Sequence, residues 1–383
     1  MIRRLEDSVA KIRPLVDSHV TTDRMARYLI SIADMPAPST LASAMRGPVL
    51  RDLLQQDGAL GSRLKLDTNF ANTVGTVLLT GAISVEKPLW YFAHLDTISY
   101  LVQPLQEGRY PLVPFCYHLT AQGVRDARCY RFDMVTGRYR VAAEGLLVSE
   151  QSKPFFQPNE LAVSVIPGDR VVPVARSRPV GDGNWTGHFD NAGGVAALAV
   201  AAPVLAEAGL DAMLAFPDEE EGPMGSGNQV IGRGGSRIID RLAPPDLALV
   251  VDMQQAEYNP AINSGVCLGR GAVLSEFSSL ARGAVTPPHL FGLARELARV
   301  LAGHGVKIQH GFNSYTSRSD DVSVMLKTPN IMLLGFPGLD RHFDNGLPKA
   351  NLDDIVDLSK ALVYSALLRP IIRSFVDGEG AGA

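Results

Sequence analysis

The chain is poor in cysteine. Its 383 residues hold three, Cys116, Cys129 and Cys267, an odd number without paired spacing. That argues against a disulfide framework and a cysteine-rich zinc site, and it suits a reducing, cytoplasmic setting. Excess positive charge is also missing. Lys and Arg number 36 against 40 Asp and Glu, for a formal net charge of −4. With no basic surplus to neutralise phosphates, nucleic acid is not the expected partner. No membrane span is expected either: the most apolar run, Gly193 to Gly209, is interrupted by Pro203 and Glu207 and falls short of the ~20 residues a bilayer needs. The N-terminal MIRRLEDSVAKIRPL has early arginines with no apolar core behind them, which reads as an amphipathic helix and not as a signal peptide. What is present, 46% hydrophobic and 20% charged residues, is the composition of a globular protein and not of a disordered one.

The pattern along the chain predicts an α/β protein. Thr22 to Ala33 reads as a helix stopped by Pro36 and Pro38, and Pro48 to Gln56 as another with its proline in the first turn. Strands are expected at Asn72 to Thr80 and at Pro88 to Phe92, the second running into Ala93-His94-Leu95-Asp96. From Thr97 to about Val174 the character changes to short alternating segments punctuated by glycine and asparagine, the pattern of a small antiparallel barrel or sandwich. After Gly187 the strand–helix alternation returns. Ala192 to Ala208 is apolar on nearly every face and should be buried. Strands follow at Asp211 to Phe216, Asp246 to Val251 and Asn330 to Phe336, with helices at His289 to Gly303 and Leu352 to Leu368. The expectation is a largely parallel mixed sheet flanked by helices, interrupted by an all-β insertion. Residues 1–98 and 176–383 would form one catalytic domain and 99–175 a lid.

Two of the eight histidines stand out, because each has an acid two residues on: His94-Leu95-Asp96 and His342-Phe343-Asp344. Residues two apart on a strand share a face, so Asp96 could orient the His94 ring, as partners of metal-bound histidines do. The strand Met213 to Phe216 leads into Pro217-Asp218-Glu219-Glu220-Glu221-Gly222. Consecutive carboxylates suit a solvated loop. They also suit cations that neutralise part of the charge, with a spare carboxylate to move protons. Asp190 opens the buried helix, and Asp252 follows the apolar strand Leu247 to Val251. In an α/β sheet such strand ends face one crevice, and imidazoles with several carboxylates can hold two metals. Gly265-Val266-Cys267-Leu268-Gly269 mimics a nucleophile elbow, but no helix follows it before about Pro287. Gly225 to Gly232 lacks dinucleotide-binding spacing.

The ordered set resembles the dinuclear zinc aminopeptidase clan. It is most similar there to the glutamyl/leucyl aminopeptidase family that forms tetrahedral particles, the cellulase-M-like peptidases. The resemblance is carried by Ala93-His94-Leu95-Asp96, Phe189-Asp190-Asn191-Ala192-Gly193-Gly194, Glu219-Glu220-Glu221-Gly222, Val250-Val251-Asp252 and His342. It implies two divalent metals, zinc first with cobalt or manganese as alternatives. The implied ligands are His94, Asp190 (bridging), Glu220, Asp252 and His342, with Glu219 as general base and Asp96 supporting His94. The Gly222 anchor favours that register; a shift by one gives Glu220 as base and Glu221 as ligand. The resemblance further implies a homo-oligomer and an aminopeptidase acting on peptides.

Departures from the family pattern concern the substrate pocket. Thr97-Ile98-Ser99 replaces Glu-Ile-Gly, Ser317-Arg318-Ser319-Asp320 replaces Gly-Gly-Thr-Asp, and Arg341-His342-Phe343 replaces a Tyr-Ile-His-Ser-Pro-like segment. Pro217-Asp218-Glu219-Glu220 is also similar to the related aminotripeptidase, carboxypeptidase and acylase family. These changes leave a deacylase or deaminase of a small non-peptide amide as the alternative.

Overall fold

A computed structural model describes residues 2–82, 84, 86–115, 121–160, 165–222, 232–258, 265–278, 283–311 and 320–376. Cys116, most of the glycine-rich stretch from Gly225, and Ser317-Arg318-Ser319 lie outside the described residues.

Three helices lead: α1 (Ile2–His19), α2 (Thr22–Ala33) and α3 (Ala42–Gln56). The third starts six residues before the expected Pro48, which lies in its interior. The reason is a distant carboxylate. Asp218 accepts from the N–H groups of Thr40 and Ala42 at 2.8 and 3.0 Å, satisfying donors that a helix start leaves bare. The strands β1 (Leu64–Asp67), β2 (Thr76–Thr80) and β3 (Leu89–Phe92) follow. Then come β4 (Ser99–Val102), β5 (Tyr110–Phe115), β6 (Gly123–Asp133), β7 (Arg138–Glu150), β8 (Lys153–Pro158) and β9 (Arg170–Pro173). These six close into a barrel in the order β4-β5-β8-β7-β6-β9. Tyr100, Val102, Cys129, Leu147, Phe156 and Val171 are among the side chains that fill it.

The chain then returns to the main sheet through β10 (Arg178–Gly181), β11 (Asn184–Thr186), α4 (Ala192–Glu207), β12 (Ala212–Phe216), α5 (Arg233–Ile239), β13 (Leu247–Gln255), β14 (Ala272–Ser275), α6 (Pro288–Ala302), β15 (Ile308–Gly311), α7 (Asp320–Met325), β16 (Ile331–Leu339), β17 (Lys349–Asn351), α8 (Leu352–Ser365) and α9 (Arg369–Val376). The sheet order is β1-β2-β12-β3-β13-β16-β17-β11-β10, with β14 and β15 beside β16. Its centre, β12-β3-β13-β16, is parallel throughout, while β2 and β17 flank that centre antiparallel.

Period-2 alternation splits the core. Leu89, Tyr91, Leu214, Phe216, Leu249 and Val251 point to the face covered by α4 and its neighbours. Trp90, Phe92, Met213, Ala215, Ala248 and Val250 point to the face covered by α5 and α7. Central parallel strands buried on both faces require continuous apolar runs. The helix α4 is buried from Ala192 to Ala206, which is why its composition shows no polar side. Among the described residues, no helix is long and apolar enough to cross a membrane.

Candidate metal centre

Four parallel strands end on the same side of the sheet, and the site is assembled there. The turn after β3 carries His94, and Asp96 lies two residues on. The loop before α4 carries Asp190, whose peptide bond to Asn191 is cis. The turn after β12 carries the acidic run, and His342 follows β16. Asp252 is an exception to its expected place at a strand end. It lies inside β13, which continues to Gln255 because β16 pairs with it in register as far as Gly338.

His94 is 2% exposed, and its tautomer is determined by its surroundings. Nδ1 lies 3.0 Å from the carbonyl oxygen of Asp96, which can only accept. In the neutral ring Nδ1 therefore keeps the proton, and Nε2 is the nitrogen available to a metal. Without a cation, burial works against the charged form, but Glu220, Asp190 and Asp252 lift His94 well above its ordinary value. Nε2 lies 3.5 Å from Asp190 Oδ1, 3.5 Å from Asp252 Oδ1 and 3.7 Å from Glu220 Oε2. The other oxygen of Asp190, Oδ2, lies 3.3 Å from His342 Nε2, which is itself 3.2 Å from Glu221 Oε1. Asp190 is thus divided, with one oxygen toward His94 and Asp252 and the other toward His342 and Glu221.

These residues fit metal ions. Donors on a tetrahedron of ~2.05 Å bonds stand about 3.3 Å apart, close to the spacings around both histidines. Two groups, His94 with Asp190 and Glu221, and His94 with Glu220 and Asp252, bring their ligand atoms within 4.8 Å of one another. Asp190 Oδ1 is buried without a hydrogen-bond partner, a costly state that a cation would relieve.

Without cations, protons respond to the crowded charge. Burial pushes Glu220 well above the usual carboxylate range, and the charges of Asp252 and Glu221 add to it. Burial and the charge of Asp190 raise Asp252. Burial acts upward on Asp190 too, but the neighbouring imidazoles of His342 and His94, with the Arg341 charge, outweigh it and hold Asp190 well below its ordinary value. Burial works against the charged form of His342, yet Glu221 and Asp190 lift it to about 9.

Asp96 is fully buried, but its carboxylate is not the partner of the His94 ring; the nearer oxygen is 3.6 Å from Nδ1. The chain leaves the strand after Phe92, so the two side chains do not share a strand face. Instead Oδ1 accepts from the Glu220 N–H at 3.0 Å, and Oδ2 from the Glu221 N–H at 3.1 Å and the Ser39 hydroxyl at 2.6 Å. Asp96 therefore places both glutamates through their backbone while its carbonyl holds the imidazole.

The structure brings Glu221 into the group and leaves Glu219 out of it. Glu219 pairs with Arg237 at 2.5 Å. Its φ of +61° is unusual for a residue with a side chain. That turn re-aims the run, so that Glu219 faces α5 while the next two glutamates face the histidines. Several contributors lay in the quoted segments without an assigned role. Arg341 lies 3.9 Å from Asp190 Oδ2, and only its position beside His342 hinted at it. Asp320 is buried with both carboxylate oxygens unpartnered, and burial raises it to about 8. Asp218 anchors the turn by also accepting from the Glu219 N–H at 2.7 Å. Cys267, the elbow mimic, is buried ahead of β14.

A model of peptidase family M20/M25/M40 matches residues 173–367. Solved structures share the fold at low identity. An aminopeptidase from the archaeon Desulfurococcus kamchatkensis superposes with a TM-score of 0.70 at 16% identity, over 92% of this chain and 98% of that one. The TET aminopeptidase of a marine sediment Thaumarchaeota archaeon gives 0.71 at 16%, over 93% and 99%. The Pyrococcus horikoshii TET1 peptidase, which can assemble into a tetrahedron or a large octahedral shell, gives 0.65 at 17%, over 89% and 99%. No curated protein sequence matches the chain.

Proposed function

Because the chain belongs to peptidase family M20/M25/M40, we propose that it is an aminopeptidase whose two divalent cations are held by His94, Asp190, Glu221, Asp252 and His342. The observation that carries this reading is the divided carboxylate of Asp190, with its oxygens 3.5 and 3.3 Å from the ligating nitrogens of two histidines. One cation would take His94, Asp190 Oδ1 and Asp252. The other would take His342, Asp190 Oδ2 and Glu221. When bound, such a pair polarises a substrate carbonyl and makes water a nucleophile near neutral pH.

The protein's own groups do the rest. The Asp96 carbonyl keeps His94 in the tautomer that leaves Nε2 free. Glu220 lies beside the first group, and the ligand place next to His342 is filled by Glu221. We therefore assign Glu220 as general base, which is the register shifted by one from the Gly222-anchored reading. Glu220 would take a proton from the attacking water and pass it to the leaving amine. Glu219, engaged by Arg237, would do neither. By analogy with the shells of the TET1 peptidase, the proposal extends to a homo-oligomer, checked by light scattering.

The test uses protein stripped with a chelator and reconstituted with zinc, cobalt or manganese. Its substrates are aminoacyl-arylamides, short peptides and the same peptides N-acetylated. Metal-dependent cleavage confined to the free-amine substrates is expected. If metal-replete protein cleaves none of them, the aminopeptidase reading fails and the small-amide reading takes its place.

A further inference from the structure

A cavity of about 100 Å³ lies between the barrel and the catalytic domain, lined by Asp34, Arg46, Arg128, Tyr130, Arg176 and His188 among others. Its inner wall is unusual. Arg46, on α3, is fully buried. Its Nε donates to the Met35 carbonyl at 3.1 Å and its Nη1 to the Leu95 carbonyl at 2.6 Å. Its Nη2 has no partner. Two neutral carbonyls do not balance a guanidinium charge. Burial lowers Arg46 to about 10, although the Asp96 and Asp190 charges oppose that shift. Neither carboxylate forms an ion pair with it, so a direct counter-ion would stabilise it.

The other charges at the cavity do not supply that counter-ion. Arg128 and Arg176 add two more guanidiniums. Arg128 is engaged by Glu144 at 2.8 Å. Asp34 is exposed, and its Oδ1 accepts from the Ser177 N–H at 2.8 Å. Three cations thus face Asp34 and the glutamate that Arg128 already holds. His188 donates from Nε2 to the Pro173 carbonyl at 2.7 Å, so it brings no carboxylate.

We propose that this cavity binds a small inorganic anion, chloride or orthophosphate, against Arg46 Nη2. The space admits either ion. The site has a consequence for the metal loop, because Arg46 holds the carbonyl of Leu95, the residue between His94 and Asp96. An anion that neutralises Arg46 would secure that loop from behind.

The test uses the full chain without metal, so its outcome is independent of the catalytic proposal. Thermal unfolding is followed against sodium chloride and sodium phosphate, with sodium gluconate holding ionic strength constant. A saturable rise in Tm of several degrees is expected from an anion that binds only the folded state. The arm that saturates at lower concentration identifies the ion. Arg46→Met should abolish the rise. The exposed Arg176→Gln should shift half-saturation upward several-fold, and it keeps the test valid if Arg46→Met does not fold. Bromide-soaked crystals should show an anomalous peak beside Arg46 Nη2. A linear, unsaturating rise identical in wild type and Arg176→Gln would reflect general salt exclusion. That result, or a water in place of bromide at Nη2, overturns the proposal.

Discussion

Asp96→Asn is the substitution that most cleanly separates support of the site from direct ligation. The side chain is fully buried and accepts three hydrogen bonds, from the Glu220 and Glu221 N–H groups and the Ser39 hydroxyl. An asparagine has one carbonyl oxygen, so one of the two carboxylate positions becomes an NH₂. If the NH₂ replaces Oδ1, it faces the Glu220 N–H. If it replaces Oδ2, Ser39 can rotate to accept, but the Glu221 N–H still meets a donor. Either way one buried donor loses its partner, at about 1–3 kcal/mol. That corresponds to roughly 5- to 150-fold in an equilibrium constant. The displaced turn carries Glu221, so metal affinity should fall within the ~10- to 100-fold range typical of residues that orient metal ligands. Competition against a chromophoric chelator measures it, with turnover followed in the same samples. Zinc affinity and kcat both at the wild-type level would refute the role assigned to Asp96.

Other outcomes follow from the same geometry. Glu220→Gln should keep bound metal yet lose roughly 10²- to 10⁴-fold in kcat, as expected for a missing general base, whereas Glu219→Gln should stay near wild type; steady-state assays of the two variants decide. Gly234→Ala would place a Cβ 2.0 Å from the Asp218 carbonyl oxygen, so the turn must move; Tm should fall with a loss of about 1–3 kcal/mol, and activity should fall with it. Burial raises Asp354 to about 7 despite the Gly269 and Gly271 N–H donors. A raised carboxylate favours folding below its unfolded pKa of about 4 and loses that contribution as pH rises to about 7, so urea midpoints across that window should slope less in Asp354→Asn than in wild type.

The fold was largely legible because its signals are local. The all-apolar α4, the strands buried on both faces and the punctuated β segment each announce their environment by composition. The ordered histidines and carboxylates marked the sheet edge where they meet. The register within Glu219-Glu220-Glu221 was not legible, because it depends on one left-handed residue and on Arg237 from α5. The partner of the His94 ring was not legible either, since the chain leaves the strand before Asp96. The end of β13 was set by pairing with β16, and the start of α3 by Asp218, both distant in sequence. Arg46 carried no motif at all; only folding buries its guanidinium beside a cavity.

If Asp190 divides a dinuclear centre, bound metal per chain is the direct readout. After reconstitution with excess zinc and removal of free ion, elemental analysis should find two equivalents in wild type and one in Glu221→Gln, which retains the His94, Asp190 and Asp252 group. A single equivalent in wild type, or two in Glu221→Gln, would contradict it.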